Sequence, residues 1–277
     1  MKRRHCLAAA LAAPALLRVP AHAQARPRTV GDRLQLLPPL AMPGLNRERT
    51  LRVYLPPSYA SQPGQRYPVI YFHDGQNLFD EATSYAGEWG VDETLDALAA
   101  QTGFEAIAVG IDNGAERRMQ ELNPWDHPRF GLGEGEAYLA FVAETVKPLI
   151  DRQFRTQPGR AHTGLAGSSM GGLITMAGLC LYRGTFGRGL VMSPSLWIAP
   201  QAFDLVEKQP LPADTRVYVY AGGREDRDMV ANAERLHRLI AKPAVATLRV
   251  NEAGQHNEPT WRAELPAALR FAFDLPA

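Results

Sequence analysis

The sequence predicts an α/β domain with a mostly parallel, doubly wound sheet flanked by helices. Several short runs are apolar at every position, as in Val69-Ile70-Tyr71-Phe72 and Ile107-Ala108-Val109-Gly110-Ile111. Such runs suit parallel strands covered on both faces, because a strand with one wet face alternates instead. The runs also alternate along the chain with amphipathic stretches of helical length, which is the order of a doubly wound sheet.

Taken in chain order, the predicted strands are Leu51–Leu55, Val69–Phe72, Ala106–Ile111, Thr163–Ala166, Leu190–Met192, Val217–Tyr220 and Thr247–Val250. The predicted helices are Val91–Ala100, Glu136–Ile150, Met170–Tyr182, Met229–Ile240 and Trp261–Phe273. Residues 50–277 are expected to form one domain, with residues 24–49 as a Pro-rich lead-in. In open α/β sheets ligands sit at the carboxyl ends of the strands, so the chemistry is sought just after each one.

Residues 1–23 read as an export signal. Lys2, Arg3 and Arg4 make a basic start, and Cys6 to Leu17 is uncharged and mostly Ala and Leu. That apolar run is about 12 residues, short of the ~20 that span a bilayer. Ala21-His22-Ala23 fits a small-x-small cleavage site. Arg3-Arg4 followed by Leu7 resembles a twin-arginine signal. No Cys follows the cleavage site, so lipid attachment there is not expected. A periplasmic or extracellular location follows, without a stable membrane anchor. The segment carries four cations and no acid, so its removal takes the chain from +1 to −3. That charge offers no electrostatic footprint for nucleic acid or anionic lipid. Only Cys180 then remains, which leaves the fold to core packing without an internal disulfide.

The chemistry begins at Gly167-Ser168-Ser169-Met170-Gly171, a G-x-S-x-G motif between a predicted strand and a predicted helix. This is the context of a nucleophile elbow and narrows the class to the α/β-hydrolase fold. The elbow is a sharp turn that holds its serine in a strained backbone conformation at a helix N-terminus. Small flanking residues are needed where strand and helix approach. Ser169 holds the nucleophile position; the neighbouring Ser168 is its rival, and a plain Gly/Ser loop is the bland alternative.

A serine hydroxyl needs a base, and in this fold the acid and the histidine follow the serine in chain order. Downstream of Ser169 stand only His237 and His256. His237 lies in an amphipathic helix beside Arg235 and Arg238. His256 falls between the last strand and the last helix, where the base belongs. The acid is expected in Ala221-Gly222-Gly223-Arg224-Glu225-Asp226-Arg227-Asp228, where three carboxylates compete. Each of them could instead pair with Arg224 or Arg227, or cap the next helix.

The chain resembles the esterase family that includes enterochelin esterases, feruloyl and acetyl-xylan esterases, S-formylglutathione hydrolases and mycolyltransferases. The resemblance runs from about Thr50 to Phe273. Its carriers include Arg52-Val53-Tyr54-Leu55-Pro56-Pro57, His73-Asp74-Gly75-Gln76-Asn77, Gly87-Glu88-Trp89, Gly110-Ile111-Asp112-Asn113-Gly114, Gly167-Ser168-Ser169-Met170-Gly171-Gly172, Ser193-Pro194-Ser195-Leu196-Trp197 and Gly254-Gln255-His256. It is similar in particular to the bacterial enterochelin-esterase-like branch, whose G-x-x-E signature after a strand resembles Gly222-Gly223-Arg224-Glu225. The resemblance therefore favours Glu225 as the acid, ahead of Asp226 and Asp228. It also implies oxyanion donors: the backbone N–H of Met170, and that of Gln76 with Gly75 as its rival. A carboxylic ester hydrolase without a cofactor is expected, acting on a small-molecule ester. A siderophore ester and an acyl sugar are candidate substrates. An acyltransferase of the same fold and a non-catalytic binding module are the alternatives.

On the substrate side, Trp89 and Trp197 flank strand ends and suit ring-bearing substrates, though core or surface packing explains them equally. Asn113 follows the strand Ala106–Ile111, with Arg117, Arg118 and Glu121 after it. A structural Arg–Glu pair there is the plainer expectation than an anion site. Asn123–Pro128 reads as a loop over the site. His127 within it has no second His or Cys at ligand spacing, so no metal is assigned.

Overall fold

The computed structural model describes residues 26–276, and the predicted export signal lies outside the described residues. Eight strands form one sheet in the order β1-β2-β4-β3-β5-β6-β7-β8. They are β1 (Leu34–Met42), β2 (Arg47–Tyr54), β3 (Val69–His73), β4 (Ile107–Ile111), β5 (Thr163–Ser168), β6 (Arg188–Met192), β7 (Arg216–Gly222) and β8 (Val245–Asn251). From β4 to β8 every neighbouring pair is parallel. β2 pairs antiparallel with both β1 and β4, so it alone runs against the rest. This is the expected α/β class.

The helices are α1 (Val91–Thr102), α2 (Arg118–Glu121), α3 (Gly135–Ala140), α4 (Lys147–Gln153), α5 (Met170–Leu181), α6 (Gln201–Lys208), α7 (Arg227–Ile240) and α8 (Glu258–Phe273). A π-helical turn, Phe141–Val146, joins α3 to α4. The predicted helix Glu136–Ile150 is therefore one helical run with a widened middle. Residues of β3 and β4 are all buried, as their unbroken apolar runs require. Tyr71 and Val109 face a core shared with Leu139, Leu173, Phe203 and Leu236, while Ile70 and Phe72 face one shared with Leu95, Trp261 and Leu265. Thus α1 and α8 cover one face, and α3 to α7 the other.

The sheet begins at Leu34, not at residue 50, so the lead-in at 24–49 carries a strand. Its physical disguise is that β1 is an edge strand, mostly exposed, with Pro38 and Pro39 where the pairing register shifts between Leu37 and Leu40. The eight-residue α6 is likewise absent from the expectation. Helix α8 starts at Glu258, three residues early, because the Asn257 side chain caps it by accepting the Thr260 N–H at 3.1 Å.

Candidate active site

Ser169 joins β5 to α5 with φ 58° and ψ −120°. A left-handed φ is costly for any residue with a Cβ, so neighbours must enforce it. Its N–H donates to the Met192 carbonyl and its own carbonyl accepts from the Ser195 N–H, both at 3.0 Å. The flanking glycines are sterically required. A Cβ on Gly167 would stand 2.7 Å from the Gly171 carbonyl carbon, and one on Gly172 would stand 2.8 Å from the Met192 carbonyl oxygen. Met170 opens α5, where a backbone N–H has no intrahelical acceptor. The Ser169 hydroxyl is hydrogen-bonded to that of Ser195 at 3.1 Å. Ser168, by contrast, ends β5 and is buried.

Of the two downstream histidines, only His256 reaches this region. His256 Nδ1 lies 3.1 Å from Glu225 Oε2. The carboxylate is fully buried, whereas the imidazole is 38% exposed. The other oxygen, Glu225 Oε1, accepts the Ser193 hydroxyl at 2.6 Å and the Gly222 N–H at 3.1 Å. Ser193 in turn accepts the indole N–H of Trp261 at 2.9 Å. The Trp261 ring also stands edge-on to His256, with centroids 5.0 Å apart at 84°. Asp226 and Asp228 sit at the exposed start of α7, as N-cap and in its first turn. His237 lies on α7 outside the lining of the cleft, with Nε2 3.4 Å from the Ala246 carbonyl.

Ser169, Arg118 and His256 separate two lobes of a cleft. The larger lobe, about 610 Å³, includes Gln76, Trp89, Asn113 and Trp261 in its walls. The smaller, about 330 Å³, is lined by Met119, Phe130, Trp197, Ile198 and Met229. Trp89 is a buried wall wedged against Phe72 and Trp261, while Trp197 is 58% exposed. Gln76 lies on a 3-10 turn after β3, and its side-chain carbonyl accepts the Asn113 N–H at 3.0 Å. The rival Gly75 has a packing role, since a Cβ there would come within 2.7 Å of the Gly110 carbonyl carbon.

The family described as "Putative esterase" matches residues 43–272. The chain belongs to that esterase family. It is a carboxylic ester hydrolase. YbbA of Bacillus subtilis is 30% identical over 191 residues, covering 66% of this chain and 70% of the relative. The iron(III) salmochelin esterase of Escherichia coli is 26% identical over 236 residues, covering 79% of this chain but 53% of the relative. Among solved structures, an IroE-like serine hydrolase from Shewanella oneidensis superposes with a TM-score of 0.71 at 22% identity, covering 86% of this chain and 80% of that one.

The esterase carries an ion pair in the wall of the larger lobe that sequence reasoning missed. Arg118 Nε and Nη2 donate to the two oxygens of Asp74 at 2.6 and 2.8 Å, and Asn113 Nδ2 donates to Oδ1 at 2.6 Å. Burial pushes the Asp74 carboxyl up, but the Arg118 charge and these hydrogen bonds outweigh it and hold the group below its ordinary value. The expected pairing of Arg117 or Arg118 with Glu121 is therefore replaced. Glu121 pairs with Arg47 at 2.7 Å and with Arg49. The signal for the Asp74 pair was available only as the His-Asp-Gly run itself, because its partner lies 44 residues on. Next to it, His73 is buried with Nδ1 2.7 Å from the Tyr138 hydroxyl. Among the described residues, no group of three or more His, Cys, Asp and Glu is arranged to hold a metal, and no helix is long and apolar enough to cross a membrane.

Proposed function

We propose that this esterase hydrolyses a small carboxylic ester through an acyl-enzyme on Ser169. The supporting observation is the strained Ser169 on the same cleft as His256, whose Nδ1 is held by Glu225. Because Nδ1 engages Glu225, the other ring nitrogen is the one left to take a proton. The Ser169 hydroxyl turns from Ser195 to His256, loses its proton and attacks the ester carbonyl. The oxyanion is held by the Met170 N–H and the Gln76 N–H. His256 then protonates the departing alcohol, after which water attacks the acyl-enzyme by the reverse use of the same base. Glu225 fixes the tautomer and stabilises the imidazolium. The likeness to a salmochelin esterase makes a siderophore-type ester the first substrate to offer, with acyl sugars second. The basic, then apolar, start of the chain supports export to the periplasm or beyond.

The test is hydrolysis of a short-chain p-nitrophenyl ester by wild type and Ser169→Ala. Wild type is expected to turn over and the variant to lose the activity. Retention of the wild-type rate by Ser169→Ala sinks the serine mechanism. A fluorophosphonate adduct mapped to Ser168 rather than Ser169 reassigns the nucleophile.

A further inference from the structure

The larger lobe contains more chemistry than ester cleavage requires. Two of its lining carboxylates have different fates. Asp74 is matched by Arg118 through two hydrogen bonds. Glu258, half-buried at the start of α8, is held only by a backbone hydrogen bond at its own position, with Arg118 and His256 acting on it through space rather than as a bonded pair. The other ionisable lining groups are His73, Tyr85, Arg118 and His256. Arg118 is already engaged, and burial holds His73 at a pKa of about 4, so it is neutral near pH 7. The lobe thus presents one carboxylate with no cation bonded to it.

Its walls are also aromatic. Trp89 and Trp261 pack on each other 5.9 Å apart at 38° and reach the lobe with only 3% and 4% of their surface, so the open ring is that of Tyr85, 87% exposed at the rim. Aromatic faces attract cations through the ring quadrupole, and a substituted ammonium ion gains most because it is weakly hydrated and covers apolar surface at the same time. A carboxylate within such a wall adds the Coulomb term. The smaller lobe also has a carboxylate in its lining, Asp226, but its walls are otherwise methionines, Phe130, Trp197 and Ile198, which accommodate an apolar group.

We propose that the larger lobe binds an organic cation, a substituted ammonium group carried by the ester substrate, through Glu258, Tyr85 and the Trp89–Trp261 wall. The substrate class is then an ester joining an ammonium-bearing half to an apolar half, the second seated in the smaller lobe. The claim that the bound cation belongs to a substrate rests on the serine-esterase reading; the binding itself does not. Burial raises the Glu258 pKa, and a cation beside it opposes that shift, so seating the ligand favours the ionised acid.

Two measurements test it. Tetramethylammonium chloride is titrated into the full-length Ser169→Ala protein by calorimetry, against sodium chloride. Saturable binding is expected, weakened about tenfold in Ser169→Ala/Glu258→Gln and weakened also by Tyr85→Leu. No binding beyond that of sodium chloride, or equal binding after both substitutions, overturns the site. Turnover is then compared within shape-matched pairs in both orientations: butyrylcholine against 3,3-dimethylbutyl butyrate, and butyl 4-(trimethylammonio)butanoate against butyl 5,5-dimethylhexanoate. In wild type the cation is expected to lead by about tenfold in kcat/KM in one orientation, and Glu258→Gln to erase the lead. Equal rates in both pairs overturn the substrate class. Unchanged hydrolysis of the neutral esters by Ser169→Ala would count against the serine mechanism alone and leave the titration to judge the lobe.

Discussion

Ser193 donates a 2.6 Å hydrogen bond to Glu225 Oε1 while the opposite oxygen of the same carboxylate meets His256 Nδ1 at 3.1 Å. The serine is fully buried, has a left-handed φ of 44°, and receives the Trp261 indole N–H. In the proposed mechanism it is therefore a positioning residue, with the Glu225 carboxylate between it and His256. Ser193→Ala leaves Oε1 with the Gly222 N–H and leaves the indole N–H buried without an acceptor. A buried polar group stripped of its partner costs about 1–3 kcal/mol. We expect stability to fall by that order in urea unfolding, and kcat to drop about tenfold with KM little changed. The pH profile of kcat/KM should move as well, because the carboxylate that tunes His256 has changed. An unmoved profile with only a lower Tm would reduce Ser193 to a packing role.

The acid itself is tested by comparing two neighbours. Glu225 is enclosed and bonded to His256, whereas Asp226 is exposed at the N-cap position of α7 with no capping hydrogen bond from its side chain. Glu225→Gln should cut kcat by about 10²–10⁴-fold, as the amide cannot hold the same tautomer or balance an imidazolium. Asp226→Asn should stay within a few-fold of wild type, since the Asp226 side chain makes no cap hydrogen bond and His256 Nδ1 is held by Glu225 instead. The reverse ranking in steady-state kinetics would transfer the role to Asp226.

These two residues also show what kind of signal a sequence carries. Ser169 was legible because its requirements are local: two small neighbours, a strand before and a helix after. His256 followed from chain order and the shortage of rivals. Glu225 needed family resemblance to lead its loop, because adjacent carboxylates have the same chemistry until burial separates them. Trp261 and Ser193 are 68 residues apart, and Asp74 and Arg118 are 44 apart. No local pattern encodes such meetings, although Ser193 and Asp74 both stood in runs that carried the resemblance. β1 escaped notice for the opposite reason. An exposed edge strand broken by two prolines lacks the apolar continuity that marks the central strands.

The steric demand at the elbow gives a prediction independent of any substrate. A methyl group on Gly167 meets the backbone of Gly171, not a flexible side-chain end, so the strand and helix must part. Overpacking of this kind costs about 1–3 kcal/mol. Gly167→Ala should lower the unfolding midpoint accordingly and displace Ser169 from the cleft, abolishing labelling by a fluorophosphonate while the far-UV spectrum persists. A variant that labels at the wild-type rate would mean that the turn tolerates the methyl and that the close approach is not what shapes it.

Acid sensitivity should trace in part to His73. Burial holds its imidazole at about 4 against an ordinary 6.5; the neighbouring Asp74 pulls the other way and Arg118 adds to the lowering. In the unfolded chain the ring is protonated below about pH 6.5, whereas in the folded protein it stays neutral until about pH 4. Between those values the unfolded state binds the extra proton, so stability must fall as the pH is lowered through that window and level off beneath it. The full gap is worth about 3 kcal/mol. The neutral ring keeps its Tyr138 contact at pH 7, so His73→Gln should destabilise the protein there yet flatten its loss of stability between pH 6.5 and 4. Urea unfolding of both proteins across that range measures the difference in slope. Parallel curves would show that the imidazole takes up its proton in the folded state as readily as in the unfolded chain.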